Sequence, residues 1–206
     1  MDRRVKKTER AFMQALLHFL EEKDIKQITV KELCDYADMN RSTFYLHYLD
    51  IYDLLDKTEQ HMADAIYTPI NKNNSRILYD ILSTFEYIKE HKKDYRVIFS
   101  VNMGSGFVRK LTNKVTEHMI PHIKEMLPDY PDDVARSAAV IHVGGAMALL
   151  HDWVINHDCS IPPITILNAV IEMTERMYKE RYDYHSNGGI TLSELKGHEK
   201  IINTDK

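Results

Sequence analysis

The fold turns on residues 28–48, Ile28-Thr29-Val30-Lys31-Glu32-Leu33-Cys34-Asp35-Tyr36-Ala37-Asp38-Met39-Asn40-Arg41-Ser42-Thr43-Phe44-Tyr45-Leu46-His47-Tyr48. Thr29 and Glu32 have the S/T-x-x-E spacing of a capping box, in which each side chain satisfies a backbone N–H of the other residue at a helix start. That predicts a short helix ending near Ala37. Asp38-Met39-Asn40 then reads as a tight turn. Asn40 is a favoured N-cap for a further short helix from Arg41 to Tyr48, and Asp50 can cap the next. Two short helices across a tight turn describe a helix-turn-helix, whose second element enters the DNA major groove. If Phe44 and Tyr48, four residues apart, pack inward on a preceding helix, then Arg41, Ser42, Thr43, Tyr45 and His47 face outward. The first residues of such a helix meet base edges while flanking polar groups meet phosphate. An Arg at position 41 can bond guanine bidentately, worth about 1–3 kcal/mol of discrimination. Taken singly, each Tyr or His fits packing in a small helical domain equally well; in this order behind a capping box they point to DNA.

Working outward, Phe12, Ala15, Leu16, Phe19 and Leu20 recur at the spacing of one helical face, so residues 4–22 read as an amphipathic first helix. Its start is basic: Arg3, Arg4, Lys6, Lys7 and Arg10 face only Asp2 and Glu9. This charge reads either as a solvated chain end or as an arm for phosphates. A net charge of -4 argues against indiscriminate polyanion binding, so any DNA binding must be local. Downstream, Ile51, Leu54, Leu55, Thr58, Met62, Ala65 and Ile66 stripe a fourth helix that runs until Pro69. The stretch Thr68 to Ser75 is the most linker-like before the C-terminal tail. Residues 76–91, 94–102, 106–127, 132–157 and 163–184 all read as helices, with breaks at Gly104-Ser105-Gly106, Pro128 to Pro131 and Pro162-Pro163. The expectation is an all-α chain. Residues 1–50 form a three-helix DNA-binding domain, 50–67 a connecting helix, 68–185 a larger ligand-binding and dimerisation domain, and 186–206 a flexible tail.

Ile28 to Cys34 together with Asn40 to Tyr48 resembles the DNA-binding signature of the TetR/AcrR family of transcription regulators, closely over residues 8–60. Tyr87-Ile88-Lys89-Glu90-His91, with Gly144-Gly145 to Trp153, is similar to the DhaS-like subgroup. The resemblance implies that Thr43 and Tyr45 contact DNA, that His47 approaches a phosphate, and that Lys31 on the preceding helix supports the backbone; Thr29 is a further DNA-binding candidate. Two positions depart from the family pattern. Asp38 stands where Gly is usual, and Asp tolerates the left-handed conformation better than most residues. Ile51 stands where many members carry a phosphate-contacting Lys, a loss for which the basic arm of Arg3, Arg4, Lys6 and Lys7 can compensate.

A two-turn recognition helix reads too few base pairs alone, so a homodimer on a palindromic operator is expected. The last two long helices are the candidate dimer surface. Ala138, Ala139, Gly144, Gly145, Ala146 and Ala148 permit close approach, and Ile164, Leu167, Val170, Ile171, Met173 and Met177 cover more than one face. The same pattern fits an ordinary buried helix. Phe85, Tyr95, Phe99, Met103, Phe107, Met119, Met147 and Trp153 could wall a cavity for an unidentified small-molecule effector, or simply form core. No cofactor is implied. His118 and His122 have i, i+4 spacing, but Pro121 is expected to interrupt their helix, and a metal site needs three or four convergent ligands.

Other classes find little support. The motifs GxSxG, GxGxxG and the P-loop are absent from the sequence, so an enzyme is not expected. No uncharged apolar run reaches the roughly 18 residues of a membrane span, and the start leads into no signal-peptide core, so a cytoplasmic protein is expected. Cys34 and Cys159 lie far apart, as reduced thiols do. The functional expectation is a ligand-responsive repressor. The alternative is a coactivator-type regulator acting mainly through a protein partner.

Overall fold

A computed structural model describes residues 3–70, 77–100, 106–126, 128–170, 172–173 and 176. By compactness the chain divides into two units, Met1–Ser160 and Ile161–Lys206. Every regular element among the described residues is helical, so the chain is all-α.

In the first unit, α1 (Arg3–Leu20) is followed by a single 3-10 turn, Ile25–Gln27, then α2 (Val30–Ala37), α3 (Arg41–His47) and α4 (Ile51–Ile70). Phe12, Ala15 and Leu16 of α1 are fully buried against Leu33, Phe44 and Leu54, with Ile28, Cys34 and Tyr48 closing the cluster. Burying a side chain such as Leu or Phe contributes about 1.5–3 kcal/mol, and this cluster supplies what three short helices could not generate alone. The 3-10 turn went unread in the sequence. Asp24 starts it by accepting a hydrogen bond from the Lys26 N–H at 2.9 Å, and it delivers buried Ile28 to the core.

The rest of this unit comprises α5 (Ile77–Glu90), α6 (Lys92–Ser100), α7 (Gly106–Met126) and α8 (Asp132–Ile155). α4 packs on α5 and α7, α7 on α8, and α6 on both α8 and α1. Two prolines behave differently from expectation. The backbone stays helical through Pro69 to Ile70, whereas the rest of the expected linker, 71–76, lies outside the described residues. α7 also runs straight through Pro121. An interior Pro loses one helix hydrogen bond and crowds the preceding turn, costing about 3 kcal/mol. Here Ile123 packs with Ala135 and Ala139 of α8 on the far side of the proline, and that burial carries the helix past it.

In the second unit, residues 163–170 are helical, as are 172, 173 and 176. The remainder of the expected last helix and the tail 186–206 lie outside the described residues.

Candidate nucleic-acid interface

The capping box at α2 is fully formed. Thr29 Oγ1 accepts from the Glu32 N–H at 3.3 Å, and Glu32 Oε2 accepts from the Thr29 N–H at 2.9 Å and from its hydroxyl at 2.7 Å. Lys23 Nζ reaches Glu32 Oε1 at 2.6 Å, tying the turn after α1 to the start of α2. The Lys23 ammonium first, then the Thr29 hydroxyl and N–H, hold the Glu32 carboxyl down at about 2. Asp38 occupies the left-handed region at φ 52, ψ 50, where its N–H and that of Met39 both bond Cys34 O. The turn therefore forms with Asp in place of the family's usual Gly.

Asn40 organises the start of α3. Its Oδ1 accepts from the Thr43 N–H at 2.8 Å, the Thr43 hydroxyl at 2.8 Å and the Ser42 hydroxyl at 2.7 Å. Phe44 is fully buried and meets Phe12 edge-on at 5.3 Å, and Tyr48 meets the same ring at 5.9 Å. With those two rings inward, Arg41 and Ser42 are exposed, Thr43 is half-buried and Tyr45 is 59% exposed. Burial, with Glu9 and Asp53 nearby, pushes the Tyr48 hydroxyl up to about 12, so it stays neutral.

His47 is less free than its position suggested. Its side chain is only 18% exposed, and Nδ1 lies 4.0 Å from Glu9 of α1. Thr29 and Lys31 are exposed at the start of α2. Arg3, Arg4, Lys6 and Lys7 are exposed on the first turns of α1, so the basic segment is helical rather than a loose arm. Ile51 is half-buried against the α1–α3 core, a packing role in place of the family's Lys.

Three residues near this surface escaped the sequence reading. Lys57 Nζ donates to His47 O at 2.8 Å, pairs with Asp53 at 2.9 Å and lies over the Tyr48 ring, closing the carbonyl end of α3. Its i, i+4 spacing from Asp53 was the available signal. Leu46 is 82% exposed and Leu49 85% exposed. The inward pair Phe44 and Tyr48 already put residue 46 on the opposite side of α3.

The aromatic candidates for effector walls are packed against one another. Phe85 meets Trp153 at 4.9 Å, Phe99 meets Phe107 at 5.1 Å, and Tyr95 meets Phe107 at 6.0 Å, all five being buried. Met119 belongs to the separate cluster around Ile123, Met147 is half-buried, and Met103 lies outside the described residues. Tyr95 donates its hydroxyl to Met62 O at 3.1 Å, joining α6 to α4. A cleft of about 760 Å³ opens instead between α1, α4 and the α5–α6 corner, and of the eight candidates only Tyr95 borders it. His118 and His122 lie on the continuous α7 with rings 5.3 Å apart, and His118 meets Tyr67 at 5.9 Å. Cys34 and Cys159 are buried free thiols, each pushed up by burial and so poorly nucleophilic.

A capped helix, a left-handed turn and a second capped helix with a polar outer face, carried on a long helix into a helical body, define a helix-turn-helix regulator. The comparisons agree. Residues 76–176 match the TetR-type family model described as "Transcriptional regulator C-terminal region". A relative in Bacillus subtilis (strain 168), the "Uncharacterized HTH-type transcriptional regulator YxbF", is 23% identical over 177 residues covering 79% of this chain; the chain spans 43% of that relative's length. Among solved structures, the "Dihydroxyacetone kinase operon activator DhaS" matches with a TM-score of 0.57 at 15% identity, covering 84% of this chain and 96% of that one. The TetR family repressor AlkX from Dietzia sp. strain DQ12-45-1b gives a TM-score of 0.42 at 16% identity over 84% of this chain and 96% of that one, a likeness that carries no argument. The chain is thus similar to TetR-type transcription regulators, over residues 76–176 by the family model and over the helical fold by the solved structure.

Proposed function

We propose that this regulator is a ligand-responsive repressor that binds a palindromic operator as a homodimer. The observation that carries the DNA reading is the division of α3. Phe44 and Tyr48 are sunk into the α1 core, while Arg41, Ser42 and Tyr45 are left exposed at the start of a capped helix. Arg41 reads a base edge, and Thr43, Tyr45 and His47 support it. Thr29, Lys31 and the basic turn of α1 contribute phosphate contacts. The division 1–50, 50–67, 68–185 and 186–206 serves as its functional map, and the protein works in the cytoplasm without catalysis.

Dimerisation is supported by α8. Val140 and Ile141 are 52% and 75% exposed, and a methyl group added at Gly144 or Gly145 would meet nothing within 4 Å. Among the described residues α8 is also the one helix long and apolar enough to cross a membrane, by length and composition alone. An apolar face of that extent on a regulator calls for a partner helix, and a second copy of the same face provides one. Ile164, Val170 and Met173 are likewise exposed and extend the proposal to the following segment.

A second reading, a coactivator acting through a protein partner, is favoured by Leu46, Leu49 and the 55% exposed Tyr52, an apolar surface beside the recognition helix. Electrophoretic retardation with DNA upstream of the gene separates the two. Arg41→Ala should cost about 1–3 kcal/mol of specific binding and much less on random DNA. Equal losses on both DNAs remove Arg41 from base readout. Absence of any salt-sensitive retardation by the parent protein favours the partner-based reading.

A further inference from the structure

The cleft of about 760 Å³ between α1, α4 and the α5–α6 corner falls within the roughly 300–1,000 Å³ range of small-molecule sites. α1 presents two separate stripes. Phe12, Ala15, Leu16 and Phe19 build the helix-turn-helix core, whereas Lys6, Glu9, Arg10, Met13 and Leu17 recur along the side that lines the cleft. The floor is apolar and aromatic: Leu17, Met62 and Tyr95 are buried, and Tyr87 stands at the wall with its ring 4.4 Å from that of His91. Tyr95 is fixed by its bond to Met62 O, so the floor is preorganised.

The charges around the cleft are unequally satisfied. Asp64 is held by Lys114 and by Gln60 at 3.1 Å. Asp94 sits in the first turn of α6, where the helix dipole favours an anion, and Glu9 faces His47 at 4.0 Å. Lys57 is engaged by Asp53 and His47 O. Lys6 and Arg10 are exposed on the α1 wall, and neither makes an ion pair with any described residue. An aromatic, preorganised floor beneath two unanswered cations selects a flat apolar body carrying a negative charge.

We propose that this cleft is an effector site for a planar aromatic carboxylate, with the ring seated among Met62, Tyr87 and Tyr95 and the carboxylate held by Lys6 and Arg10. Occupancy draws Lys6 away from DNA phosphate and wedges α1 against the α5–α6 corner, so ligand and DNA binding oppose each other. That last consequence rests on the DNA-binding reading; the site itself does not.

The test is isothermal titration calorimetry of the full chain with three probes: 2-naphthoate, neutral 2-naphthalenemethanol and 2-naphthylmethylammonium. Naphthoate should bind, the alcohol about tenfold more weakly, and the cation not at all. Arg10→Gln should weaken naphthoate by about tenfold and leave the alcohol unchanged. Tyr87→Ala should weaken both, with circular dichroism confirming an intact helical fold. The proposal is overturned if naphthoate gives no heat at millimolar concentration, if the cation binds better, or if Arg10→Gln binds naphthoate as the parent does. Retardation of upstream DNA is measured separately without probe. Naphthoate binding without DNA retardation keeps the site and removes the DNA reading; retardation without naphthoate binding does the reverse.

Discussion

Asn40 separates the folding of α3 from its use. Its single oxygen caps the helix through the Thr43 N–H and gathers the Ser42 and Thr43 hydroxyls, all on an exposed edge where water can replace a lost partner. Asn40→Ala should therefore cost about 1 kcal/mol, the middle of the range for N-cap losses. In a chain of this size that lowers the thermal midpoint by about 2–4 °C. Asn40→Asp keeps an equally good cap, so its midpoint should stay with the parent, yet it places a negative charge where α3 approaches DNA. For a phosphate about 8 Å away, an effective dielectric of about 20 and screening over about one Debye length, the repulsion is about 0.8 kcal/mol. That is about fourfold for one half-site and on the order of fifteenfold for two. Calorimetric melting and fluorescence anisotropy on upstream DNA at fixed salt read the two quantities separately. If Asn40→Asp melts and binds DNA as the parent does, the start of α3 does not face a duplex and the proposed interface is wrong.

Glu32 gives a pH signature. Its carboxyl lies at about 2 when folded, against 4.5 for the free group, so its ionised form stabilises the fold. The contribution is present above about pH 4.5 and is lost as the pH falls through about 2. Melting Glu32→Gln beside the parent should show a gap in midpoint at pH 6 that closes toward pH 2; a pH-independent gap refutes the assignment. At the proposed dimer face, Ile141→Glu puts a charge on a side chain that is 75% exposed in one protomer. It should convert a sedimenting dimer to monomer with little change in helical content, whereas an unchanged sedimentation coefficient would remove α8 from the interface.

The helix-turn-helix was legible because its signals are local. Thr29 with Glu32, the Asp38 turn and Asn40 each act within four residues, and Phe44 and Tyr48 carry the inward spacing along with them. Their pairing with Phe12 crosses more than thirty positions but follows from one helix needing to bury its stripe on another. Elsewhere the deciding facts were tertiary. Pro121 is a helix breaker by local rules, and only the packing of Ile123 against α8 shows why α7 continues. Phe85, Tyr95, Phe99, Phe107 and Trp153 suit a cavity wall or a core equally well by composition; ring contacts of 4.9 to 6.0 Å are visible only when the helices are assembled. The α1 cleft was hidden for the opposite reason. Lys6 and Arg10 read as a solvated chain end or an arm for phosphates, and nothing local shows that α4 and α6 stand opposite them and Met13.

The arrangement around α4 constrains how any signal reaches DNA. Lys110 of α7 donates to Glu59 at 2.9 Å, to Asp56 Oδ1 at 2.5 Å and to Asp56 O at 3.0 Å, and Lys114 pairs with Asp64 one turn on. Glu59 is 4% exposed, so breaking its pair would leave a buried carboxylate without its cation. A methyl group on Gly106 would collide with Glu59 Oε2, which shows how closely the start of α7 rests on α4. Effector coupling is typically worth only about 1–3 kcal/mol, too little to pull these two helices apart. α4 and α7 are thus tied along their length by Lys110 and Lys114 as well as by packing. The contact on the α6 side is weaker: just past the end of α1, Glu21 meets Lys93 at 3.0 Å with a lysine side chain that is 73% exposed. An exposed pair of this kind contributes about 0–1 kcal/mol, so it resists displacement of α6 from the α1 side far less than the buried cluster around Leu54 resists displacement of α1 from α4.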